Sequence, residues 1–255
     1  YFLLGNDGRI IFLIPFQEDF TLVGTTEVPH ENILEDPKCS SLETEYLIEF
    51  VNQYFNFDLK FENIVWRYSG IRPLYKNSKK KKGSVSSITR DYKLNLDTVE
   101  GLPILNIYGG KLTTYRKLSE NVLLKLRPYF TKMQKPWTSE KPLPGGDFDM
   151  IDKNLLIQKL SEKYRFLDDK WCRRLINCYG TFSEAILESS ATKEDLGLDF
   201  GHSLTEAEVI WLIKNEFASC AEDILWRRTK LGLKFSRNEE KRLSDWFKNA
   251  STKLV

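Results

Sequence analysis

The sequence is poor in the features that would announce a membrane span, a metal centre or a nucleic-acid binder. No run of eighteen apolar residues occurs. The longest candidates, Ile10 to Pro15 and Leu102 to Tyr108, are far too short to cross a bilayer as a helix, although attachment to a membrane surface stays open. Only four cysteines (Cys39, Cys172, Cys178, Cys220) and two histidines (His30, His202) are present, at spacings that match no zinc ribbon. We therefore expect no metal site and a reducing compartment. Charge of one sign is also lacking: 38 Lys+Arg against 36 Asp+Glu leave +2, too little to hold a polyanion by bulk attraction, so no nucleic acid is expected as a partner. Neither G-x-G-x-x-G nor G-x-x-x-x-G-K-[ST] occurs among the fourteen glycines, so a complete dinucleotide fingerprint and a P-loop are both missing.

What is present is enough apolar material for a folded core. The chain has 255 residues, 41% of them hydrophobic and 13% aromatic, which suits one large domain or two smaller ones. Only Met133 and Met150 are methionines, and the first residues read as a strand without signal-peptide character, so a piece of a longer protein is expected.

Residues 1–28 read as a hairpin of β-branched and apolar runs, Arg9–Pro15 and Phe20–Thr26, broken at Gln17-Glu-Asp19. Ser40-x-x-Glu43 has capping-box spacing before Leu47, Phe50, Val51, Tyr54 and Phe55, predicting a helix over 41–56, with a strand at about 63–69. Residues 76–87 contain Lys79-Lys-Lys-Lys82 and one apolar side chain, the composition of a mobile loop. Two paired strands are expected over 88–96 and 102–108, and a helical stripe of Leu118, Val122, Leu123 and Leu126 follows Gly109-Gly110. Pro142-Leu-Pro-Gly-Gly146 reads as an interdomain linker. Beyond it, helices are expected at 152–164, 168–179, 181–189, 204–217, 219–231 and 237–249, with capping boxes at Ser203-x-x-Glu206 and Ser236-x-x-Glu239.

Chemistry concentrates in Tyr108-Gly-Gly-Lys-Leu-Thr-Thr-Tyr-Arg116. A strand feeding a helix through two glycines leaves free N–H groups at the positive end of the helix dipole, where an anionic cofactor binds well; an ordinary tight connection reads the same way. Gly109 and Gly110 permit close approach, Lys111 adds a positive charge, and Thr113 or Thr114 can cap the helix or donate a hydroxyl. In Trp66-Arg-Tyr-Ser-Gly-Ile-Arg72-Pro-Leu74, Arg72 can clamp a carboxylate or phosphate bidentately, or sit in a surface ion pair. Thr89-Arg90-Asp91 invites the same two readings. The four lysines lack interleaved aromatics and read as a solvated loop, while Trp226-Arg-Arg-Thr-Lys230 reads as a helix with Trp226 in the core or, alternatively, against a membrane surface. His30 and His202 have no partner constellation and read as loop and turn residues.

Taken in order, these motifs resemble the aerobic FAD-dependent glycerol-3-phosphate dehydrogenases. The resemblance rests on Val23-Gly-Thr-Thr26, Trp66-x-Tyr-Ser-Gly-x-Arg72-Pro-Leu74, Thr89-Arg-Asp-Tyr92, Gly109-Gly-Lys-Leu-Thr-Thr-Tyr-Arg-Lys117, Leu143-Pro-Gly-Gly146 and Trp226-Arg-Arg-Thr-Lys230. Glu27 departs from the aspartate common in relatives. The resemblance implies the C-terminal half of such an enzyme and an α+β fold. Residues 1–75 would be the end of the substrate-binding antiparallel-sheet cap, 76–138 a returning segment of the FAD domain, and 139–255 an all-α C-terminal domain. It further implies FAD as cofactor and sn-glycerol 3-phosphate as substrate. Electrons would pass to membrane quinone or, in an oxidase, to oxygen, from a peripheral position on the cytoplasmic membrane's inner face. Arg72 and Arg90 would bind substrate, Arg72 and Lys111 would be catalytic, and Gly109, Gly110, Lys111, Leu112, Thr113 and Thr114 would hold the cofactor. The isolated piece is expected to be inactive. A homodimer and a non-enzymatic module that binds a partner or an anionic membrane are the further expectations.

Overall fold

A computed structural model describes residues 1–32, 34–75, 89–130 and 132–254. The lysine run 79–82 and the loop expected around it lie outside them. The chain divides into two compact units, Tyr1–Thr138 and Ser139–Val255.

In the first unit, β1 (Phe2–Leu4), β2 (Ile10–Phe16) and β3 (Phe20–Gly24) form an antiparallel meander. The expected hairpin is β2 with β3, Phe12 opposite Gly24 and Phe16 opposite Phe20, and β1 adds one strand to it with Phe2 opposite Phe12. Period-two alternation turns Ile11 and Leu13 inward against Phe50 and Val51 of α1 (Ser41–Asn52). The opposite face carries Phe2, Leu4, Ile10, Phe12 and Ile14, all exposed. Ser40 caps α1: its Oγ accepts from the Glu43 N–H at 3.1 Å, and the Glu43 carboxylate accepts from the Ser40 N–H at 3.0 Å. The strand expected over 63–69 does not form, because among the described residues no neighbouring strand pairs with it; Trp66 and Tyr68 instead stack at 4.7 Å. Further on, β4 (Lys93–Val99) and β5 (Leu102–Tyr108) make a hairpin, and α2 (Tyr115–Leu126) follows a short 3-10 turn at Leu112–Thr114. None of α2's residues is buried.

The second unit has its own core. It comprises α3 (Lys153–Lys163), α4 (Asp169–Tyr179), α5 (Ser183–Leu187), α6 (Glu206–Glu216) and α7 (Arg237–Leu254), with a small hairpin of β6 (Asp199–Gly201) and β7 (Leu204–Thr205). Trp171, Leu175, Phe200, Leu204, Leu212, Ile224 and Leu243 meet at its centre. That hairpin is a small departure from an all-helical domain. It also displaces the expected capping box at Ser203, since His202 (φ 50°) and Ser203 (φ 63°) make the two-residue turn and α6 starts only at Glu206. Glu206 then accepts from the Leu198 N–H (3.0 Å) and the Trp246 indole (2.9 Å).

The Leu143-Pro-Gly-Gly146 segment is a docked turn rather than a free linker. Gly145 is buried with φ 78°, its carbonyl accepts from the Thr181 N–H at 3.0 Å, and it lies directly against Gly180 (φ 56°). A Cβ on Gly180 would fall inside the van der Waals sphere of the Gly145 oxygen, so both positions require glycine for contact as well as for φ. Between α6 and α7 the expected helix widens into a π-turn at Asp223–Arg228, where Thr229 N–H and Oγ1 both reach the Ile224 carbonyl at 2.9 and 2.7 Å. Trp226 lies flat on Gly232, which has no room for a side chain there. Buried in this unit is an ionic network. Arg174 forks onto both oxygens of Glu208 at 2.7 Å and reaches the Ser203 carbonyl at 2.6 Å, while the Tyr179 hydroxyl donates to Glu208 at 2.6 Å. Burial opposes the Arg174 charge, but the Glu208 carboxylate outweighs it and holds the guanidinium protonated.

Candidate functional site

The N-terminus of α1 organises the first unit's polar chemistry. The same Glu43 that closes the capping box accepts from the Thr26 hydroxyl at 2.6 Å, tying down the segment that leaves β3. Burial acts to raise the Glu43 carboxyl, and the bonds from Thr26 and Ser40 outweigh it, so the group stays below the usual range and ionised. One residue beyond Glu43, Thr44 is buried; its Oγ1 donates to the Ser40 carbonyl at 2.9 Å and accepts from Arg67 at 3.2 Å. The end of β3 and the Trp66–Arg72 segment are thus anchored to a single turn of helix.

From those anchors three charged side chains converge. Glu27, immediately after Thr26, receives Arg72 on Oε1 and Arg90 at 3.2 Å on both oxygens. The arginines are half-exposed, at 45% and 49%, and Glu27 is 32% exposed. One carboxylate against two guanidiniums leaves a net positive charge of one, with N–H donors of both forks still facing water. The two arginines singled out in the sequence are therefore neighbours despite their separation along the chain. Glu27, which joins them, was visible in the sequence only as a variant position in Gly-Thr-Thr-Glu.

The glycine turn abuts this cluster. At Gly109 (φ 69°) a Cβ would sit 3.3 Å from the Asp91 carbonyl and 3.6 Å from that of Pro73, so the backbone after β5 passes between the residues next to Arg90 and those next to Arg72. Gly110 (φ 102°) lies 3.4 Å from Tyr92 by the same measure, and Tyr92 accepts from Asn121 of α2. On the other flank Lys93 donates to the Tyr75 hydroxyl at 2.6 Å, and Tyr75 packs on Tyr108 at 5.5 Å.

Lys111 and Leu112 stand exposed at the mouth of the turn. Among the described residues the Lys111 ammonium has no hydrogen-bond or ion-pair partner. Thr114 does not cap α2. Its hydroxyl turns back, accepting from the Lys111 N–H at 3.3 Å and donating to the Lys111 carbonyl at 2.9 Å. The first-turn N–H groups of Leu112 and Thr113 have no intrahelical acceptor. An anionic or electron-rich group fits this corner: two glycines in conformations open to close approach, free N–H groups and an unpaired ammonium. Arg116 and Lys117, by contrast, are committed to Glu120 at 2.9 and 3.2 Å, and Glu120 also accepts from Thr138 at 2.6 Å.

Other sequence candidates are occupied within the second unit. Arg227 pairs with Glu222 and Asp223, Arg228 with Glu216, and Lys230 donates to the Trp226 carbonyl. Among the described residues no cluster of three or more His, Cys, Asp or Glu could hold a metal ion, and no helix is long and apolar enough to cross a membrane.

Comparison of the sequence with known proteins gives these matches. Residues 136–247 match the C-terminal domain of alpha-glycerophosphate oxidase. Over 96% of the chain it is 40% identical to the aerobic glycerol-3-phosphate dehydrogenase of Escherichia coli (strain K12), covering 48% of that protein, its C-terminal half. The chain is similar to the C-terminal half of glycerol-3-phosphate dehydrogenases. It is 39% identical to the Pseudomonas aeruginosa glycerol-3-phosphate dehydrogenase over 98% of its length, and 37% identical to the D-erythritol 1-phosphate dehydrogenase of Brucella abortus (strain 2308), also over 98%. It spans 48% and 49% of these two relatives, about half of each.

Proposed function

We propose that the chain is the C-terminal half of an FAD-dependent dehydrogenase that oxidises sn-glycerol 3-phosphate to dihydroxyacetone phosphate and passes the electrons to quinone. The chain would be inactive without the other half. The observation that carries this reading is the convergence of Arg72 and Arg90 on Glu27 with the Gly109 backbone packed between their neighbours. Residues 1–75 then belong to the substrate-binding cap and 76–138 to the returning segment of the FAD domain. In that role the exposed apolar face of the β1–β3 sheet and the unburied α2 would pack against the rest of the enzyme.

Bound FAD would supply the hydride acceptor for the substrate's C2. Residues Gly109, Gly110, Lys111, Leu112, Thr113 and Thr114 would hold it, with glycine backbone and free N–H groups against the ring and Lys111 adding positive charge there. Arg72 and Arg90 would take the phosphate or the developing C2 oxygen through paired donors that stay charged at every working pH. Because these guanidiniums retain one net positive charge after Glu27 is counted, an anionic substrate is favoured over a free polyol.

Quinone as acceptor and a peripheral position on the inner face of the cytoplasmic membrane follow from the resemblance. Trp226–Lys230 gives no support to direct lipid attachment, because Arg227 and Arg228 are already neutralised by carboxylates. Two specific matches favour second readings. The domain match at 136–247 is to an oxidase, which favours oxygen as acceptor, and the Brucella relative makes D-erythritol 1-phosphate the competing substrate.

The test is the full-length protein. Its visible spectrum should carry a flavin band, and it should reduce a quinone analogue with glycerol 3-phosphate faster than it consumes oxygen or oxidises D-erythritol 1-phosphate. Arg72→Met should cut kcat/KM, and Lys111→Met turnover, far more than about threefold, a ratio worth well under ~1 kcal/mol. Values that stay within that ratio remove the assigned roles.

A further inference from the structure

We infer that Glu27 is the positioning residue of the Arg72–Arg90 pair, a built-in carboxylate that holds the two guanidiniums at one spacing and orientation so that the phosphate of the substrate meets a preformed fork. This rests on the phosphate-binding role proposed for the two arginines.

Two free arginines would hold no fixed arrangement. Each is half-exposed, carries a long rotamer-rich side chain, and repels the other because both are charged. Left alone they would splay, and a phosphate binding across them would have to restrain both. Glu27 removes that cost in advance. Its Oε1 accepts from both guanidiniums and its Oε2 from Arg90 as well, so the carboxylate bridges rather than favouring one partner.

The bridge is itself held. Thr26, one residue earlier, donates to Glu43 at 2.6 Å, and Glu43 is locked into the Ser40 capping box at the start of α1. Arg67 reaches Thr44 of the same helical turn, which anchors the segment leading to Arg72. On the Arg90 side, the Asp91 carbonyl lies against Gly109. The chain Ser40, Glu43, Thr26, Glu27 therefore transmits the rigidity of a helix to two side chains that would otherwise be mobile. A surface ion pair made only for stability would need none of this scaffolding. Among the described residues the carboxylate also leaves one net positive charge and unengaged N–H donors on both arginines, so the cluster stays receptive to an anion.

Two effects oppose each other when Glu27 is neutralised. Positive potential rises, which favours any anion, and the fork loses its template, which disfavours a bidentate one. Without the bridging carboxylate the two guanidiniums repel and splay, and a phosphate across them must restrain both long side chains, so the loss of the template dominates. The experiment measures kcat and KM for glycerol 3-phosphate in the full-length flavoprotein at about 0.15 M salt, for the parent, Glu27→Gln and Glu27→Asp. Glu27→Gln should raise KM on the order of tenfold, the worth of one to two rotamer-rich side chains no longer immobilised beforehand. Its kcat should stay within about threefold and its flavin spectrum unchanged, since a phosphate contact is made equally in ground and transition states. Glu27→Asp keeps the charge and the forked acceptor and should restore most of the loss. A KM for Glu27→Gln within about twofold of the parent, or no recovery with Glu27→Asp, overturns the inference. So does loss of bound flavin in Glu27→Gln alone, which would mark a purely structural role. A parent enzyme that oxidises no polyol phosphate overturns the functional reading instead, and that result appears before any variant is compared.

Discussion

Replacing Glu208 by glutamine should unfold the second unit far more easily than any surface charge change of the same kind. Glu208 is 1% exposed and Arg174 12% exposed, and the pair is bonded through two contacts of 2.7 Å. The glutamine amide keeps one oxygen, enough for the Tyr179 hydroxyl, but turns an N–H donor toward a guanidinium that has only donors. Arg174 then stays buried with its charge uncompensated except for Ser203, and breaking such a pair costs about 3–5 kcal/mol. Against a domain stability of about 5–15 kcal/mol that is a large share. With a urea slope of about 1–2 kcal/mol per molar, the midpoint should fall by about 2 M. The assay is tryptophan fluorescence in urea, which reports chiefly on this unit because four of the six tryptophans (Trp171, Trp211, Trp226, Trp246) lie in it. Glu184→Gln, which breaks a surface pair with Lys163 whose partners are both more than half exposed, is the control and should leave the midpoint where it was. Combining Arg174→Met, Tyr179→Phe and Glu208→Leu removes the buried charges and the tyrosine hydroxyl together, leaving only the partly exposed Ser203 without its donor, and should recover most of the loss. If Glu208→Gln moves the midpoint no further than Glu184→Gln, the buried charge does not depend on its partner and the reasoning fails.

Gly180→Ala should cost more than about 2 kcal/mol and lower the thermal midpoint accordingly, because the new methyl meets the Gly145 oxygen and φ 56° is strained for alanine. Ser236→Ala removes the acceptor for the Glu239 N–H and the donor to its carboxylate, so a loss of about 1 kcal/mol is expected in the same urea titration. Acid should weaken the second unit in a definite window. Backbone N–H groups of Thr192 and Ala191 hold Asp195 below 3.8, that of Ser219 holds Asp223 below 3.8, and that of Ser236 holds Glu239 below 4.5. Depressed carboxyls add stability that is complete above those values and is lost as pH falls through the lower folded-state ones. Midpoints measured from pH 6 down to about 2 should therefore drop below about pH 4.5, and a flat profile there would contradict the assignment.

Helices of the second unit were legible because their apolar period and Ser236-x-x-Glu239 box are local signals. The elements that were not legible are set by tertiary contact. Residues 63–69 have strand composition yet find no partner strand among the described residues, and Ser203 sits in a hairpin turn that its spacing to Glu206 disguises as a cap. Leu143-Pro-Gly-Gly146 has the composition of a linker, but Gly145 is there for a backbone-to-backbone contact with Gly180, thirty-five residues beyond it. At the π-turn Asp223–Arg228, Trp226 likewise packs on a glycine, Gly232, six residues beyond it.

For the candidate site the division is sharper. Arg72, Arg90, Lys111 and the paired glycines could be picked out as residue types suited to anions, because guanidinium, ammonium and Cβ-free backbone carry their chemistry with them. What the sequence withheld was pairing. Arg72 and Arg90 each also read as half of a surface ion pair, and both do make one, yet with the same carboxylate. That sharing changes its meaning: two separate pairs would neutralise both arginines, whereas a shared glutamate orients them and leaves charge to spare. Glu27 carries no signal of this by type, being one exposed acid among 36 acidic residues, and only its tie through Thr26 to the helix cap distinguishes it. A residue whose role is to arrange other residues is visible only where its partners are brought together, which for this site requires chain segments 45 and 63 positions apart.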